Sequence, residues 1–380
     1  MSFANFRKEA FANKSHAFLT CLFFALLAIA IISSVLIVKY VQGISSQVNQ
    51  DMEAFMNEKA IDPGKTADDF PARPAHCPKA LVGIYIERVL DADIKQSFWD
   101  YECTIWFRWK PSEVDFLGRN KFMPDGQIPF KIIDGSIAST EVTEHFKIPQ
   151  DSSEYIQYFV RAKSSKFFDV CLYPVDKHDL ILQVEHKWLE RNQLLLVPDT
   201  TESKISSRVS VCGYIKSPEP IIIEKPHRYR SSKGNPNFTD GHRLVFSQAR
   251  MAMHISRGGV SNVFKLFLVL YIAVVVAFVS FFASDPSRYA VGALFTTAGA
   301  NFILMSKLPA LQVYSFAEIL YAMCQVVILL MIVFLAILPR ITAVDNRPDF
   351  FEKKMHLAIH SSLLLFTIVL NILLIKVALQ

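Results

Sequence analysis

The sequence predicts an extracytoplasmic β-sandwich of the immunoglobulin-like kind, followed by a four-helix transmembrane bundle and preceded by one additional N-terminal transmembrane helix. Three observations predict this architecture. Hydrophobic residues make up 52% of the 380 residues and gather in a few long runs, which points to a bilayer and not to an apolar core. Between the first run and the others lie short alternating segments rich in β-branched and aromatic residues. Basic residues flank the long runs unevenly, which sets a direction of insertion.

An α-helix advances about 1.5 Å per residue, so about 20 apolar residues cross the hydrocarbon layer. Five runs approach that length, at residues 17–38, 263–283, 289–305, 317–338 and 357–379. The first exceeds the apolar length of a signal peptide and no small-residue cleavage site follows it, so a retained anchor is expected. The third is interrupted by Gly292, Thr296, Thr297, Gly299 and Asn301. Arg7, Lys8 and Lys14 precede the first run, and Arg340, Arg347, Lys353 and Lys354 lie between the last two. Placing both groups in the cytoplasm leaves residues 40–260 and the C-terminus outside. The expected location is therefore a cell (inner) membrane, crossed several times, with the large domain periplasmic or extracellular.

Residues 40–75 are polar, and "DPGKTADDFPARPAHCP" reads as a linker. From Ala80 the pattern becomes "LVGIYIERV", "YECTIWFRW", "YIQYFVRAK", "LILQVEH", "QLLLVPD", "EPIIIEK" and "RLVFSQARMAMHIS". Many short period-two segments without a long helical stretch argue for a sandwich. The boundaries that follow are 1–40 for the N-terminus and anchor helix, 41–79 for the linker, 80–258 for the sandwich and 259–380 for the helical domain.

Several function classes drop out. The net charge of +5 is modest, and no basic cluster interleaves with aromatics, so no nucleic-acid partner is expected. The six cysteines form no CxxC pair and no Cys/His cluster, so no metal and no cofactor are expected. Disulfides among Cys77, Cys103, Cys171 and Cys212 are left open. No GxSxG, HExxH, P-loop or paired-carboxylate pattern occurs, and no enzyme is predicted. His356 and His360 stand four apart at the start of the last run, where an interfacial position explains them better than a ligand pair. No inverted repeat marks a transporter.

The segment "DVCLYPVDKHDLILQVE" resembles the signature loop of the pentameric ligand-gated ion channels, the Cys-loop receptor superfamily, whose core is aromatic-Pro-aromatic-Asp followed by a strand. Tyr173, Pro174 and Asp176 match, and Val175 replaces the second aromatic. Lys166 and Leu180 occupy the positions of the two loop cysteines, which the prokaryotic branch also lacks. "GIYIERVLDADIKQSFWDYECTIWFRWKP" is similar to the family's first two strands and their turn. "MAMHISRGGVSNVFKLF" is similar to its last strand entering the first pore-domain helix, with Arg257 at the junction. "SRYAVGALFTTAGANFILMSKLP" is similar to the pore-lining helix and its closing Leu308-Pro309 pair. The resemblance spans residues 80–379, and the first helix is additional to the family's plan.

The resemblance implies a homopentamer in membrane lipid, opened by an unidentified small-molecule or ionic ligand at subunit interfaces of the sandwich, with residues 289–305 lining the pore. Helical spacing offers two stripes. Ala290, Leu294, Thr297, Asn301 and Leu304 hold more hydrogen-bonding capacity and are expected to face the lumen; Gly292, Phe295, Gly299 and Phe302, favoured by counting back from Pro309, form the alternative. Asp285 and Arg288 are expected at the pore mouth, and Pro286-Ser287-Arg288 resembles the Pro-Ala-Arg start of the family's anion channels, which leans the reading to anions. Tyr173, Pro174, Asp176, Arg257 and Pro309 are expected to couple ligand to pore, with Asp176 paired to Arg257 because a partly buried carboxylate needs a cation. For the ligand the resemblance implies Trp188, Tyr229, Phe238 and Thr104, an incomplete aromatic box in which Thr104 replaces an aromatic. Trp109 matches the family's packing tryptophan, Trp106 is read as core, and Glu185, Glu190, Arg228 and Arg230 either serve a charged ligand or are solvated. The competing expectation is a non-conducting membrane sensor or scaffold whose sandwich binds a partner.

Overall fold

In Phe98–Trp109 every second residue is buried, and the inward side chains are Trp99, Tyr101, Cys103, Ile105, Phe107 and Trp109. That period is the mark of a strand with one face in a core. The computed structural model describes residues 28, 31–63, 65–66, 76–118, 128–166, 168–234, 236, 243–257, 259–283, 285–309, 314–344 and 349–378. The chain divides into two units, one of Val48–Asp169 with Lys177–Gly258, the other of Met1–Gln47, Val170–Asp176 and Gly259–Gln380.

The first unit is built on strands. In chain order these are β1 (Lys79–Asp93), β2 (Phe98–Trp109), β3 (Phe130–Ile132), β4 (Gly135–Lys147), β5 (Glu154–Ser165), β6 (Lys177–His186), β7 (Leu195–Pro198), β8 (Lys204–Ile205), β9 (Tyr214–Lys216), β10 (Ile221–Arg228) and β11 (Val245–Arg257). One sheet runs β4-β5-β2-β1-β7 with β8 also against β1, and the other runs β10-β11-β6-β3 with β9 beside β11. Two sheets in a sandwich-like arrangement agree with the expected fold class. The inner faces meet in an aromatic cluster, with the Phe107 ring 4.9 Å from Phe116 and 5.3 Å from Phe130. Each such buried side chain contributes about 1.5–3 kcal/mol.

Two features escape the sequence pattern. Strand β4 is exposed along nearly its whole length at the edge of its sheet, so no apolar face betrays it. Strand β11, in contrast, is buried continuously from Phe246 to Met253. Its second face is covered by the tail of α1 (Ile31–Phe55): Met56 packs with Ile223 and Ala252, joined by Phe55 and Ile181. The expected linker 41–79 is therefore corrected in its first part. Residues 44–62 contain neither Gly nor Pro, nothing stops the helix before Phe55, and the residues after it belong to the core.

The second unit holds α2 (Gly259–Val279), a 3-10 turn at Ser280–Phe282, α3 (Pro286–Lys307), α4 (Phe316–Val344) and α5 (Asp349–Ala378). Pro286 opens α3 at a position where its missing N–H costs nothing. A capping box opens α4: the Ser315 N–H donates to Glu318 Oε2 at 2.7 Å, and the Glu318 N–H donates to Ser315 Oγ at 3.2 Å. Among the described residues, four helices are long and apolar enough to cross a membrane, at Ile31–Phe55, Ser261–Phe282, Pro286–Lys307 and Phe316–Ala336, and Ser361–Lys376 is a shorter apolar helical stretch. The chain has the make-up of a multi-pass membrane protein. Of the first predicted run, residues 17–27 and 29–30 lie outside the described residues.

Candidate functional site

Helix α3 packs on both α2 and α4, and its two faces differ. Ala290, Ala293, Thr297 and Leu304 are buried, and Thr297, at 0% exposure, donates its hydroxyl to the Leu294 carbonyl of its own helix at 2.8 Å. Leu294 and Asn301 are half-buried on the same face, and Asn301 Oδ1 is buried without a hydrogen-bond partner among the described residues. The stripe Ala290, Leu294, Thr297, Asn301, Leu304 expected to face a lumen thus faces the chain's own helices. The correction has a steric cause: Ala290, Ala293 and Thr297 are small enough to let neighbouring helices approach. The outward face carries the alternative stripe, with Gly292, Phe295, Gly299 and Phe302, and continues into Arg288 and Ser306 at its ends. Phe295 and Phe302 are 73% and 75% exposed. Asp285 is exposed ahead of the helix and accepts from the Ser287 hydroxyl at 3.0 Å.

The loop that carries the Tyr173-Pro174-Val175-Asp176 core belongs to the helical unit. Its Cys171 carbonyl accepts the Phe316 N–H at 2.6 Å, so one of the amides that α4 leaves without an intrahelical partner is satisfied by this loop. Leu172, Val175 and Asp176 are buried, and the Tyr173-Pro174 bond is cis. Arg257, at the end of β11, donates from Nη2 to the Tyr214 hydroxyl at 2.9 Å and lies 4.7 Å from that ring's centroid. Pro309 stands two residues past the end of α3, after Leu308.

Thr104, Trp188 and Tyr229 do not form one box. Thr104 donates to Glu87 at 3.1 Å and lines a cavity of about 510 Å³ with Tyr85, Trp106, Arg108, Tyr155 and Asp199. Trp106, read from sequence as core, instead faces this cavity and donates its indole N–H to Asp199 at 3.2 Å. Its ring lies against Gly83, where an added Cβ would come within 2.0 Å. Trp109 is buried against Phe116, with ring centroids 4.6 Å apart. Trp188 packs edge-on to His186 at 4.7 Å and closes over Gly118, which is at φ 67°. Phe238 lies outside the described residues, as do the side chains of His356 and His360.

Tyr229 is the centre of a different cluster. Its hydroxyl donates to the buried Glu185 at 3.1 Å, and Glu185 also receives Lys131 at 2.6 Å and the Gln248 amide at 2.9 Å. Burial first, and then the Glu185 charge, push the Tyr229 hydroxyl well above the usual tyrosine range. The polar chain continues inward. Gln248 Oε1 accepts from Arg250 at 3.1 Å, and Arg250 makes a two-point contact with Asp62 at 2.9 Å on each oxygen. Lys225 meets the same carboxylate at 2.7 Å. Burial alone would raise the Asp62 carboxyl, yet Arg250 and Lys225 outweigh it and hold the group below the usual carboxylate range. Compared with known proteins, the chain matches no family model and no curated protein.

Lys131, Gln248, Arg250, Lys225 and Asp62 were not singled out from sequence. Arg250 shares its strand face with Gln248 and His254, which reads as a solvated face, and Lys225 ends the run "EPIIIEK" as a charged residue; the tail of α1 covers both. Glu185 and Tyr229 were both named, but their direct contact follows from strand β6 lying beside β11, a pairing of residues Gln248 and Glu185 distant in sequence.

Proposed function

We propose that the chain is a subunit of a homopentameric ligand-gated ion channel of the prokaryotic type, in which α3 lines the pore. The observation that carries this reading is the division of α3 into a packed face and an outward face bearing Arg288, Gly292, Phe295, Gly299, Phe302 and Ser306. Five copies around an axis make these residues rings. Gly292 and Gly299 leave the bore wide, while Phe295 and Phe302 form apolar constrictions of the kind that gate by shedding water. The Arg288 ring at the helix start favours anions, and the exposed Asp285 stands before it.

The loop from Val170 to Asp176 supports the same reading, because its backbone is bonded to the start of α4. A ligand bound by the immunoglobulin-like sandwich at subunit interfaces shifts a closed–open equilibrium only if its affinity differs between the two states. In this proposal Asp176, Arg257, Tyr173, Pro174 and Pro309 pass the shift to the pore helix. The N-terminus is cytoplasmic, and the strand unit and C-terminus lie outside, as the basic flanks require.

The test is purified protein in planar bilayers under a chloride gradient, with native mass measured on the same preparation. The expected result is current reversing near the chloride equilibrium potential and a fivefold mass. Silence across broad ligand and pH screens, with any other stoichiometry, favours the scaffold reading instead.

A further inference from the structure

A buried carboxylate beneath aromatic rings is a receptor for a cation, and here the chain fills it with its own. The Glu185 side chain is fully buried, and Lys131 Nζ reaches it at 2.6 Å. The same ammonium lies 5.2 Å from the Tyr229 centroid and 5.0 Å from that of Phe246. These are the partners a free ammonium ligand would take. The remaining Glu185 contacts are also used, by the Tyr229 hydroxyl and the Gln248 amide. A second lysine, Lys233, holds its ammonium 3.5 Å from the Tyr229 centroid. Burial, and next the Lys131 ammonium beside it, hold Lys233 below the usual lysine range. Glu185 is the carboxylate that both lysines feel, so two ammonium groups share one carboxylate, while the Asp134 charge reaches the Tyr229 hydroxyl.

We propose that this cluster binds a small oxyanion, a carboxylate or phosphate, bridged by Lys131 and Lys233 over the Tyr229 ring, and that Lys131 bars amine ligands by occupying their place. The inference names the ligand class for the channel reading and rests on it. An oxyanion accepts from both ammonium groups at once, removes the repulsion between them and leaves Glu185 with its present donors. A cation entering the same place must displace Lys131 and confront Lys233.

The experiment is isothermal titration calorimetry on the full-length chain in nanodiscs at fixed ionic strength, with sodium succinate, inorganic phosphate and tetramethylammonium chloride as probes. Saturable binding of succinate or phosphate is expected, and which of the two binds identifies the oxyanion. Lys233→Met, at a surface loop, should weaken that binding about tenfold or more while the thermal melt stays unchanged. Lys131→Met should lose the anion and gain tetramethylammonium, and Lys131→Arg, which keeps the cation in the cage, should still exclude it. Tetramethylammonium binding to the natural chain, anion binding indifferent to Lys233→Met, or no anion binding at all overturns the proposal. Calorimetry reads no current, so a chain that conducts yet ignores both anions overturns the ligand class alone; one that binds an anion as expected but never conducts overturns the channel reading.

Discussion

Replacing Asp62 by asparagine removes one negative charge from between two cations and changes little else in shape. Lys225 and Arg250 are 0% and 1% exposed, and Asp62 is 13% exposed. Removing one partner from a buried ion pair costs about 3–5 kcal/mol, because the remaining charges are left uncompensated. The amide introduced by Asp62→Asn still accepts a hydrogen bond, which places the expected cost at the lower end, about 3 kcal/mol. The loss falls on the docking of residues 52–62, since Lys225 also donates to the Ala54 carbonyl at 2.7 Å and the Phe55 ring lies 4.4 Å from the Arg250 guanidinium. With tenfold per 1.4 kcal/mol, amide exchange in that segment should rise about 100-fold. Hydrogen exchange read by mass spectrometry follows it directly, with β2 as the internal control. Exchange in 52–62 that matches the natural chain, or a rise shared equally by β2, refutes the argument that this carboxylate clamps the helix tail.

Three other outcomes follow from the same structure. Gly83→Val should push the Trp106 ring off its strand, break its bond to Asp199 and cost about 1–3 kcal/mol, read as a lowered thermal midpoint with altered near-ultraviolet circular dichroism. Acidification should weaken the strand unit in two stages. Burial holds the His227 pKa below its usual value, so the unfolded chain takes up this proton first and stability falls as pH drops below about 6.5. Asp62 titrates below the usual carboxylate range, so its contribution is present above about pH 4 and is lost as pH falls further; His227→Gln should remove the first stage only. On the proposed channel reading, Arg288→Glu should reverse the charge at the pore mouth and move the reversal potential from the chloride toward the cation equilibrium value.

The sequence carried the strands that have one wet and one dry face, such as β2 and β5, because alternation survives wherever a single sheet face is buried. It was silent on β4, where both faces are exposed, and on the charged residues of β10 and β11, where Lys225 and Arg250 lie under the tail of α1. The tail itself read as a linker because its residues are polar on average, and only their packing on Ile223 and Ala252 reveals the helix as part of the core. For α3, hydrogen-bonding capacity singled out Thr297 and Asn301. A membrane helix satisfies a threonine hydroxyl on its own backbone, as the bond to Leu294 does, so polarity alone does not find the outward face. The aromatic box expected from the resemblance dissolved for a related reason: Trp188 is fixed by Gly118 and His186, Thr104 is bonded to Glu87, and Tyr229 belongs to the Glu185 cluster.

The most direct test of the proposed pore is the pattern of block by a charged thiol reagent along α3, measured as current from single-cysteine chains with the parent chain as control. Modification of Phe295→Cys, Gly299→Cys and Phe302→Cys should stop the current, and Ala290→Cys and Thr297→Cys should be untouched. Block at Thr297→Cys with none at Phe295→Cys or Gly299→Cys contradicts the account.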